Sequence, residues 1–239
     1  MIGSYLHSAG EDEYDEIGIS SDMLEVLAKR LKARIKQHYQ NVILITGGTG
    51  SGKSNLAIQL IKAIDPDWDL RENYIYSIHD LARKLAHRET ASPISLFDEG
   101  SVILNSLNFN RKEDKAVSNL FNTMRSLGWT TIIACPLPKN LNSSVKEAHL
   151  TYHLICPDKP LIEGYDRRGF FEVYLPIRRQ WSDKVYSKCL AAGVHRKMPK
   201  ALNEQYEEIK LDKQMRLLDD FVKEFGRSEG VTSDGEDEP

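Results

Sequence analysis

The stretch NVILITGGTGSGKSNLAIQL, residues 41–60, decides the fold because it joins two apolar segments through a loop that is rich in glycine. Gly47, Gly52, Lys53 and Ser54 satisfy the pattern G-x-x-x-x-G-K-[ST], with a strand-like run before the loop and a helix-like run after it. The glycines let the backbone wrap a phosphate closely enough for its N–H groups to donate to it. The stretch therefore predicts a phosphate-binding loop between a buried strand and a helix.

The residues of this loop have different predicted roles toward a nucleotide. Lys53 is expected to reach the β- and γ-phosphates, and the hydroxyl of Ser54 is expected to ligate Mg²⁺. The predicted nucleotide-binding set covers the loop and the start of the helix: Gly47, Gly48, Thr49, Gly50, Ser51, Gly52, Lys53, Ser54 and Asn55. A glycine-rich turn with an incidental lysine is the alternative, and the flanking strand and helix argue against it.

Two carboxylates follow the apolar run PISLFDEG, residues 93–100. Asp98 ends a predicted strand, which is where a Mg²⁺-coordinating acid must stand beside a phosphate loop. Glu99 comes next, and a carboxylate there can orient or deprotonate the attacking water, so we predict Glu99 and Lys53 as catalytic residues. An ordinary acidic turn after a strand is the alternative interpretation.

Strand-like and helix-like segments alternate along most of the chain, which predicts an α/β fold with a mostly parallel central sheet and helices on both faces. We expect four regions: a flexible acidic arm over residues 1–20, a P-loop ATPase domain with an N-terminal helix over 21–180, a helical C-terminal extension over 181–226, and a disordered acidic tail over 227–239. Predicted strands cover residues 41–46, 73–78, 93–98, 129–136, 150–157 and 169–177; predicted helices cover 21–40, 54–64, 79–89, 112–128 and 202–225.

The overall charge excludes a strongly basic, nucleic-acid-coating protein, because 32 basic and 35 acidic residues give a formal net charge of −3. That average hides a basic region over residues 167–200, which holds nine Lys or Arg residues against two acids. The last twelve residues, SEGVTSDGEDEP, hold five acids and no base. The basic region indicates either a polyanion-binding surface or an ordinary solvated face.

The cysteines and the hydropathy of the chain limit where in a cell the protein is expected. The three cysteines are widely spaced and form no C-x-x-C pair, which argues against a disulfide framework or a zinc site. No apolar run approaches the roughly 20 residues that a membrane-spanning helix needs. We therefore expect a soluble, cytoplasmic protein without a membrane span.

The segment MRSLGWTTIIACPLPKNLNSSVKEAHLTYHLIC, residues 124–156, resembles the FtsK/HerA superfamily of DNA-pumping ATPases. Arg125 and Gly128 match the superfamily's arginine and glycine, TTIIACP matches its strand, and Val145-Lys146 match a later pair. Together with the phosphate loop and Asp98, the likeness spans roughly residues 41–157. The stretch from Asp98 to Arg125 also resembles the zonula-occludens-toxin-like and viral genome-packaging branch.

This resemblance implies a RecA-like P-loop NTPase fold, ATP as the nucleotide, and Arg125 as an arginine finger that completes a neighbouring subunit's site. A finger of this kind requires a homo-oligomer, and the family implies a hexameric or pentameric ring around double-stranded DNA, gripped without reading its sequence. Arg111 and Lys112 are candidates for facing that channel, and a solvated loop is the alternative. If the chain is viral, its location is the host cytoplasm, with the C-terminal region available to dock a partner protein.

The chain departs from the family pattern at the end of the 129–136 strand, where Cys135-Pro136 replaces the usual glutamine. Proline has no side-chain donor, so sensing of the γ-phosphate either passes to another residue, with Asn140 and Asn142 as the candidates, or is weaker. Two other functions stay open beside a motor: a non-motor ATP-dependent switch that recruits partners, and a small-molecule phosphotransferase. A G protein is excluded because the chain contains no N-K-x-D stretch.

Overall fold

The computed structural model describes residues 2–8, 14–87, 89, 92–98, 111–138, 141, 145, 149–158, 169–178 and 185–228. The strands are β1 (Ile2–Ser8), β2 (Tyr14–Ser20), β3 (Asn41–Thr46), β4 (Ile94–Phe97), β5 (Thr130–Cys135), β6 (Tyr152–Ile155), β7 (Phe170–Arg178) and β8 (Val185–Val194). The helices are α1 (Met23–Lys36), α2 (Lys53–Ile64), α3 (Leu70–Asn73), α4 (Ile78–Ala86), α5 (Arg111–Ser126) and α6 (Lys200–Ser228).

The strands form one mixed sheet in the order β1-β2-β8-β7-β6-β3-β5-β4. Strands β6, β3, β5 and β4 are mutually parallel and form the half of the sheet that carries the phosphate loop. Strand β7 runs antiparallel to both β6 and β8, and β2 pairs with β8 in parallel. The prediction of a mostly parallel central sheet is confirmed, with β5 inserted between β3 and β4.

Helices cover both faces of the sheet, as predicted. Every residue of β3 is buried, which explains its continuous apolar sequence. Val42 and Leu44 share one apolar cluster with residues of α4 and α5, whereas Ile43 and Ile45 alternate to the opposite face, where α2 packs on the strands and α1 packs on α2. Fully burying one such side chain contributes about 1.5–3 kcal/mol, so the apolar residues of β3 contribute strongly to the stability of the core.

Three expectations about secondary structure are wrong. The region predicted as a flexible arm contains the hairpin strands β1 and β2, which pair antiparallel with each other. The region beyond residue 181 is not entirely helical, because β8 pairs with β7 over residues 185–194 before α6 begins at Lys200. The predicted strand at 73–78 is reduced to one parallel bridge between Tyr74 and Leu96. The pairing of one strand with another decides these cases, and the residue pattern within a single segment does not contain that information.

The chain divides into two compact units, Met1–Lys197 and Met198–Pro239. The second unit consists of α6 as far as it is described, a helix of 29 residues with an ion pair of 2.9 Å between Arg216 and Asp212. Four apolar residues of α6 are exposed and spaced along one stripe: Leu211, Met215, Leu218 and Val222. Among the helices that the structure describes, none is long and apolar enough to cross a membrane.

Candidate nucleotide-binding site

The loop between β3 and α2 needs glycine at specific positions. Gly47 has a φ of 146°, and a Cβ built there would lie 2.2 Å from the backbone oxygen of Cys156. Gly52 adopts the left-handed region with a φ of 95° and caps the N-terminus of α2. Both conformations are unfavourable for residues with a side chain, and the contact with Cys156 involves backbone that cannot turn aside. The glycines of the motif are therefore explained by backbone shape and by close approach of the neighbouring strand.

Lys53, the first residue of α2, folds back over the start of the loop. Its ammonium donates to the carbonyl oxygen of Gly47 at 2.9 Å and to that of Gly48 at 2.7 Å. These two bonds hold the charge beside the N–H groups at the N-terminus of α2, where the helix dipole also favours an anion. The arrangement places one full positive charge and one partial positive charge at the same loop.

Ser54 and Asp98 meet directly beside the loop, as the motif requires. The hydroxyl of Ser54 donates to Asp98 Oδ1 at 2.9 Å, and the hydroxyl of Tyr74 donates to Asp98 Oδ2 at 3.4 Å. Asp98 is only 2% exposed. Mg²⁺ usually binds one or two protein oxygens together with phosphates and water, so this pair fits a Mg²⁺–nucleotide complex. Glu99 lies outside the described residues.

The carboxyl ends of two further strands, β5 and β6, lie beside the loop. Gly47 N–H donates to the carbonyl oxygen of Pro136 at the end of β5, with a distance of 3.3 Å. Gly48 N–H donates to the carboxylate of Asp158 at 2.7 Å, two residues beyond the buried Cys156 that follows β6. Burial raises the pKa of the Cys156 thiol to about 12, so this cysteine stays protonated beside the loop.

The segment after β8 reaches the other side of α2. Asn55 Nδ2 and Gln59 Nε2 both donate to the carbonyl oxygen of Arg196, and the Arg196 N–H donates back to Gln59 Oε1 at 3.2 Å. The ring of His195 fills the space beside Gly52, where a Cβ would lie 3.1 Å from its Cε1 atom. Burial lowers the pKa of His195, so the ring is neutral near physiological pH.

Arg125 does not join this site. It is exposed in the last turn of α5, just before β5 begins, and Asn41 at the start of β3 donates its N–H to the neighbouring Trp129 carbonyl at 3.1 Å. Arg125 thus lies at the amino edge of the parallel strands, whereas the phosphate loop follows the carboxyl end of β3. The six residues of β3 span roughly 20 Å at about 3.3 Å each, so Arg125 is out of reach of the loop of its own chain.

Several predicted residues cannot be placed. Asn140, Asn142 and Lys146 lie outside the described residues, as do the side chains of Arg111 and Lys112. Five of the nine basic side chains of the region at 167–200 are also outside them, and Lys188, Arg196, Lys197 and Lys200 are its exposed members that the structure describes. Arg196 is the one of these whose backbone is hydrogen-bonded to α2 in the described part of the chain.

No protein-family model and no curated protein matches this sequence. Among solved structures, the chain is similar to the N-terminal domain of zonular occludens toxin from Neisseria meningitidis, at 16% identity and a TM-score of 0.36, covering 66% of this chain and 96% of that one. It is also similar to the genome packaging NTPase B204 from Sulfolobus turreted icosahedral virus 2, solved with ATP-gammaS, at 13% identity and a TM-score of 0.38, covering 66% and 98%.

A third similar structure is a KaiC-like protein from Pyrococcus horikoshii, at 16% identity and a TM-score of 0.35, covering 65% of this chain and 89% of that one. All three likenesses are distant. The sheet order and the packing of helices on it show a mixed, mostly parallel α/β fold. Its phosphate loop follows a central parallel strand, and the acidic residue Asp98 follows the strand two positions away in the sheet.

The sequence prediction missed three residues at this edge: Asp158, His195 and Arg196. A signal for Asp158 was present, because it follows an apolar strand-like run just as Asp98 does, and side chains after parallel strands converge on one edge. For His195 and Arg196 no such signal existed, since β8 was not predicted as a strand. Their proximity to the loop depends on the pairing of β8 with β7.

Proposed function

We propose that this protein is a Mg²⁺-dependent ATPase that hydrolyses ATP at the loop between β3 and α2. The observation that carries the proposal is the bond of 2.9 Å between Ser54 Oγ and Asp98 Oδ1, formed beside the ammonium of Lys53. It brings a hydroxyl from the start of α2 and a buried carboxylate from the end of β4 to the place where a nucleotide's metal would be held. A phosphate loop without such an acid would support binding but would leave hydrolysis unexplained.

Each residue has a definite task in this proposal. The backbone N–H groups of the loop hold the phosphates, and Lys53 exchanges its bonds to Gly47 and Gly48 for phosphate oxygens as the nucleotide enters. Ser54 and Asp98 hold Mg²⁺, which supplies charge neutralisation at the β- and γ-phosphates when bound. Glu99 orients a water molecule in line with the γ-phosphate and accepts its proton as the water oxygen bonds to the γ-phosphorus; the bond from that phosphorus to the bridging oxygen breaks, and ADP is the leaving group.

We further propose that ATP hydrolysis drives the movement of double-stranded DNA through a ring of this chain. The resemblance of residues 41–157 to DNA-pumping ATPases supports the proposal, together with the exposed Lys188 of the basic region. Lysine and arginine bind backbone phosphates without reading base sequence, which suits a translocating motor. Packaging of a viral genome and DNA transfer between cells are both compatible with this activity.

The exposure of Arg125 favours the motor over the other two functions. A small-molecule phosphotransferase has no use for an arginine that faces away from its own nucleotide, whereas a ring can place it against the next subunit. A non-motor ATP-dependent switch is the second candidate, favoured by the exposed apolar stripe of α6, since such a stripe is typical of a helix that docks a partner.

The test is ATP hydrolysis by the full chain with and without duplex DNA, at several Mg²⁺ concentrations. The motor requires DNA-stimulated hydrolysis that EDTA abolishes, with Lys53→Ala and Glu99→Gln inactive and Glu99→Gln still able to bind ATP. The exposed Lys29 provides the matched control, because Lys29→Ala removes the same charge from α1 and should leave the rate unchanged. Hydrolysis that is indifferent to DNA, by a protein that stays monomeric with nucleotide bound, rules out the motor and favours the switch.

A further inference from the structure

We propose that Arg196 is a second cation of the nucleotide site and binds the α-phosphate of the nucleotide. Hydrogen bonds between the segment after β8 and α2 hold Arg196 in place for this task. The inference rests on the proposed ATPase function and adds a subsite to it. Arginine suits this task because its planar guanidinium remains charged at any physiological pH and binds phosphate oxygens through two parallel N–H groups.

The first argument is the way in which the backbone of Arg196 is held. Its carbonyl oxygen accepts from Asn55 Nδ2 at 2.9 Å and from Gln59 Nε2, and its N–H donates to Gln59 Oε1 at 3.2 Å. Gln59 also donates to Asn55 Oδ1 at 2.6 Å, which ties the two α2 side chains together. An exposed residue whose main chain is fixed by three side-chain bonds presents its own side chain from a constant position.

The second argument is the imidazole of His195. The residue is 8% exposed, and its Nε2 atom has no hydrogen-bond partner among the described residues. That nitrogen lies 3.2 Å from the place where a Cβ of Gly52 would stand, so it faces the last glycine of the loop. A buried polar atom without a partner is costly and calls for an explanation. A ligand bound at the junction between the loop and the segment that carries Arg196 would supply one.

The third argument identifies the phosphate. Ser54 bonds to Asp98 at the end of β4, whereas Asn55 bonds to the segment after β8, and β4 and β8 lie on opposite sides of β3 in the sheet. Lys53 and Ser54 serve the β- and γ-phosphates, while the loop's N–H groups cradle the α- and β-phosphates. The γ-phosphate therefore lies on the side of Asp98, and the α-phosphate lies at the opposite end, on the side of Arg196.

The experiment measures the dissociation constants of ATP and ADP for the full chain, together with kcat and KM for ATP. Arg196→Ala should weaken ATP and ADP equally, by about tenfold, because the α-phosphate is common to both, and should raise KM with kcat unchanged within twofold. Lys197→Ala removes the neighbouring exposed charge and should change either constant less than twofold. Arg196→Lys should recover only part of the affinity, since it restores charge without the planar fork.

Gln59→Ala tests whether the anchoring matters. It should weaken nucleotide binding by about threefold in the wild-type background and have no further effect in Arg196→Ala, because it acts through Arg196. The inference is overturned if Arg196→Ala binds ATP and ADP as tightly as Lys197→Ala, or if Gln59→Ala costs the same in both backgrounds. Lys53→Ala distinguishes a failure of the Arg196 proposal from a failure of the proposed ATPase function. Both proposals are overturned if the wild-type chain binds no nucleotide, or if it binds nucleotide no more tightly than Lys53→Ala does.

Discussion

The two edges of the parallel strands differ in how complete they are within one chain. At the carboxyl edge, Asp98, Asp158 and His195 arrive from three distant parts of the sequence, and each touches the phosphate loop or its neighbours. At the amino edge, Arg125 is exposed. The turn after it packs against the backbone of His38 at Gly128, where a Cβ would lie 2.6 Å from the His38 oxygen. The first edge is built to hold a ligand by itself, whereas a function for the second requires another molecule.

The largest effect is expected from two variants that each inactivate one edge, so that the intact loop and the intact Arg125 lie on different subunits. Arg125→Ala should lower the ATPase rate by about 10³-fold with nucleotide binding intact, and Lys53→Ala should lower it as far by removing the loop's charge. Mixing the two inactive variants should restore part of the activity, because some interfaces then combine an intact loop with an intact Arg125. The measurement is the ATPase rate against mixing ratio at constant total protein.

Arg30 supplies the control for this mixing experiment, since it is an exposed arginine on α1. Arg30→Ala alone should keep full activity, and mixing it with Lys53→Ala should only dilute the active subunits. A strictly additive rate from the Lys53→Ala and Arg125→Ala mixture would contradict a role for Arg125 across an interface. The amino edge would then be a solvated end of α5.

A smaller effect tests the shape of the carboxyl edge. Gly47→Ala should lower the free energy of unfolding by about 2 kcal/mol or more, because its φ of 146° suits only glycine and its new methyl group would meet the Cys156 oxygen at 2.2 Å. Gly50→Ala is the matched variant, since a Cβ there meets no atom within 4 Å and only the φ of 74° opposes it. We expect Gly50→Ala to cost about 1 kcal/mol, and denaturant unfolding of both variants measures the difference.

Equal costs for Gly47→Ala and Gly50→Ala would show that backbone conformation alone sets the requirement for glycine. The close approach of the strand end at Cys156 would then carry no weight. A larger cost at Gly47 supports a loop whose shape is fixed by contact with β6 as well as by its own dihedral angles.

The sequence predicted those parts of the site whose functional residues lie within one short segment or directly after a buried strand. The apolar run of β3, the glycines and Lys53 stand within twelve adjacent residues, so their pattern predicted both the strand and the loop. Asp98 was also found, because a carboxylate directly after a buried strand has a known place relative to such a loop. Helix α1 was predicted from apolar residues at three- and four-residue intervals.

The rest could not be predicted because it depends on how strands pair and not on the pattern within one segment. Strand β8, VYSKCLAAGV, carries alanines and a leucine that also suit a helix, and its ladders with β7 and β2 make it a strand. Strands β1 and β2 are rich in polar and acidic residues and are stabilised by pairing with each other. Because β8 was missed, the sequence offered no reason to bring His195 and Arg196 beside a loop more than 140 positions earlier.

The smallest predicted effect is a pH dependence of stability that originates at the carboxyl edge. His153 on β6 lies 2.7 Å from the Thr46 hydroxyl at the end of β3, and burial lowers the pKa of its ring to about 4. The unfolded chain titrates near 6.5, so it binds more protons than the folded chain between pH 6.5 and 4, and stability falls as the pH falls through that window. Since the ring is only partly buried, we expect a loss of about 1–2 kcal/mol by pH 4.

His153→Gln keeps a hydrogen-bonding partner for Thr46 but cannot titrate, so denaturant unfolding at pH 7.5 and 4.5 should show a weaker pH dependence in this variant. An identical dependence in both proteins would assign the acid lability to other groups and leave His153 as a packing residue beneath the loop.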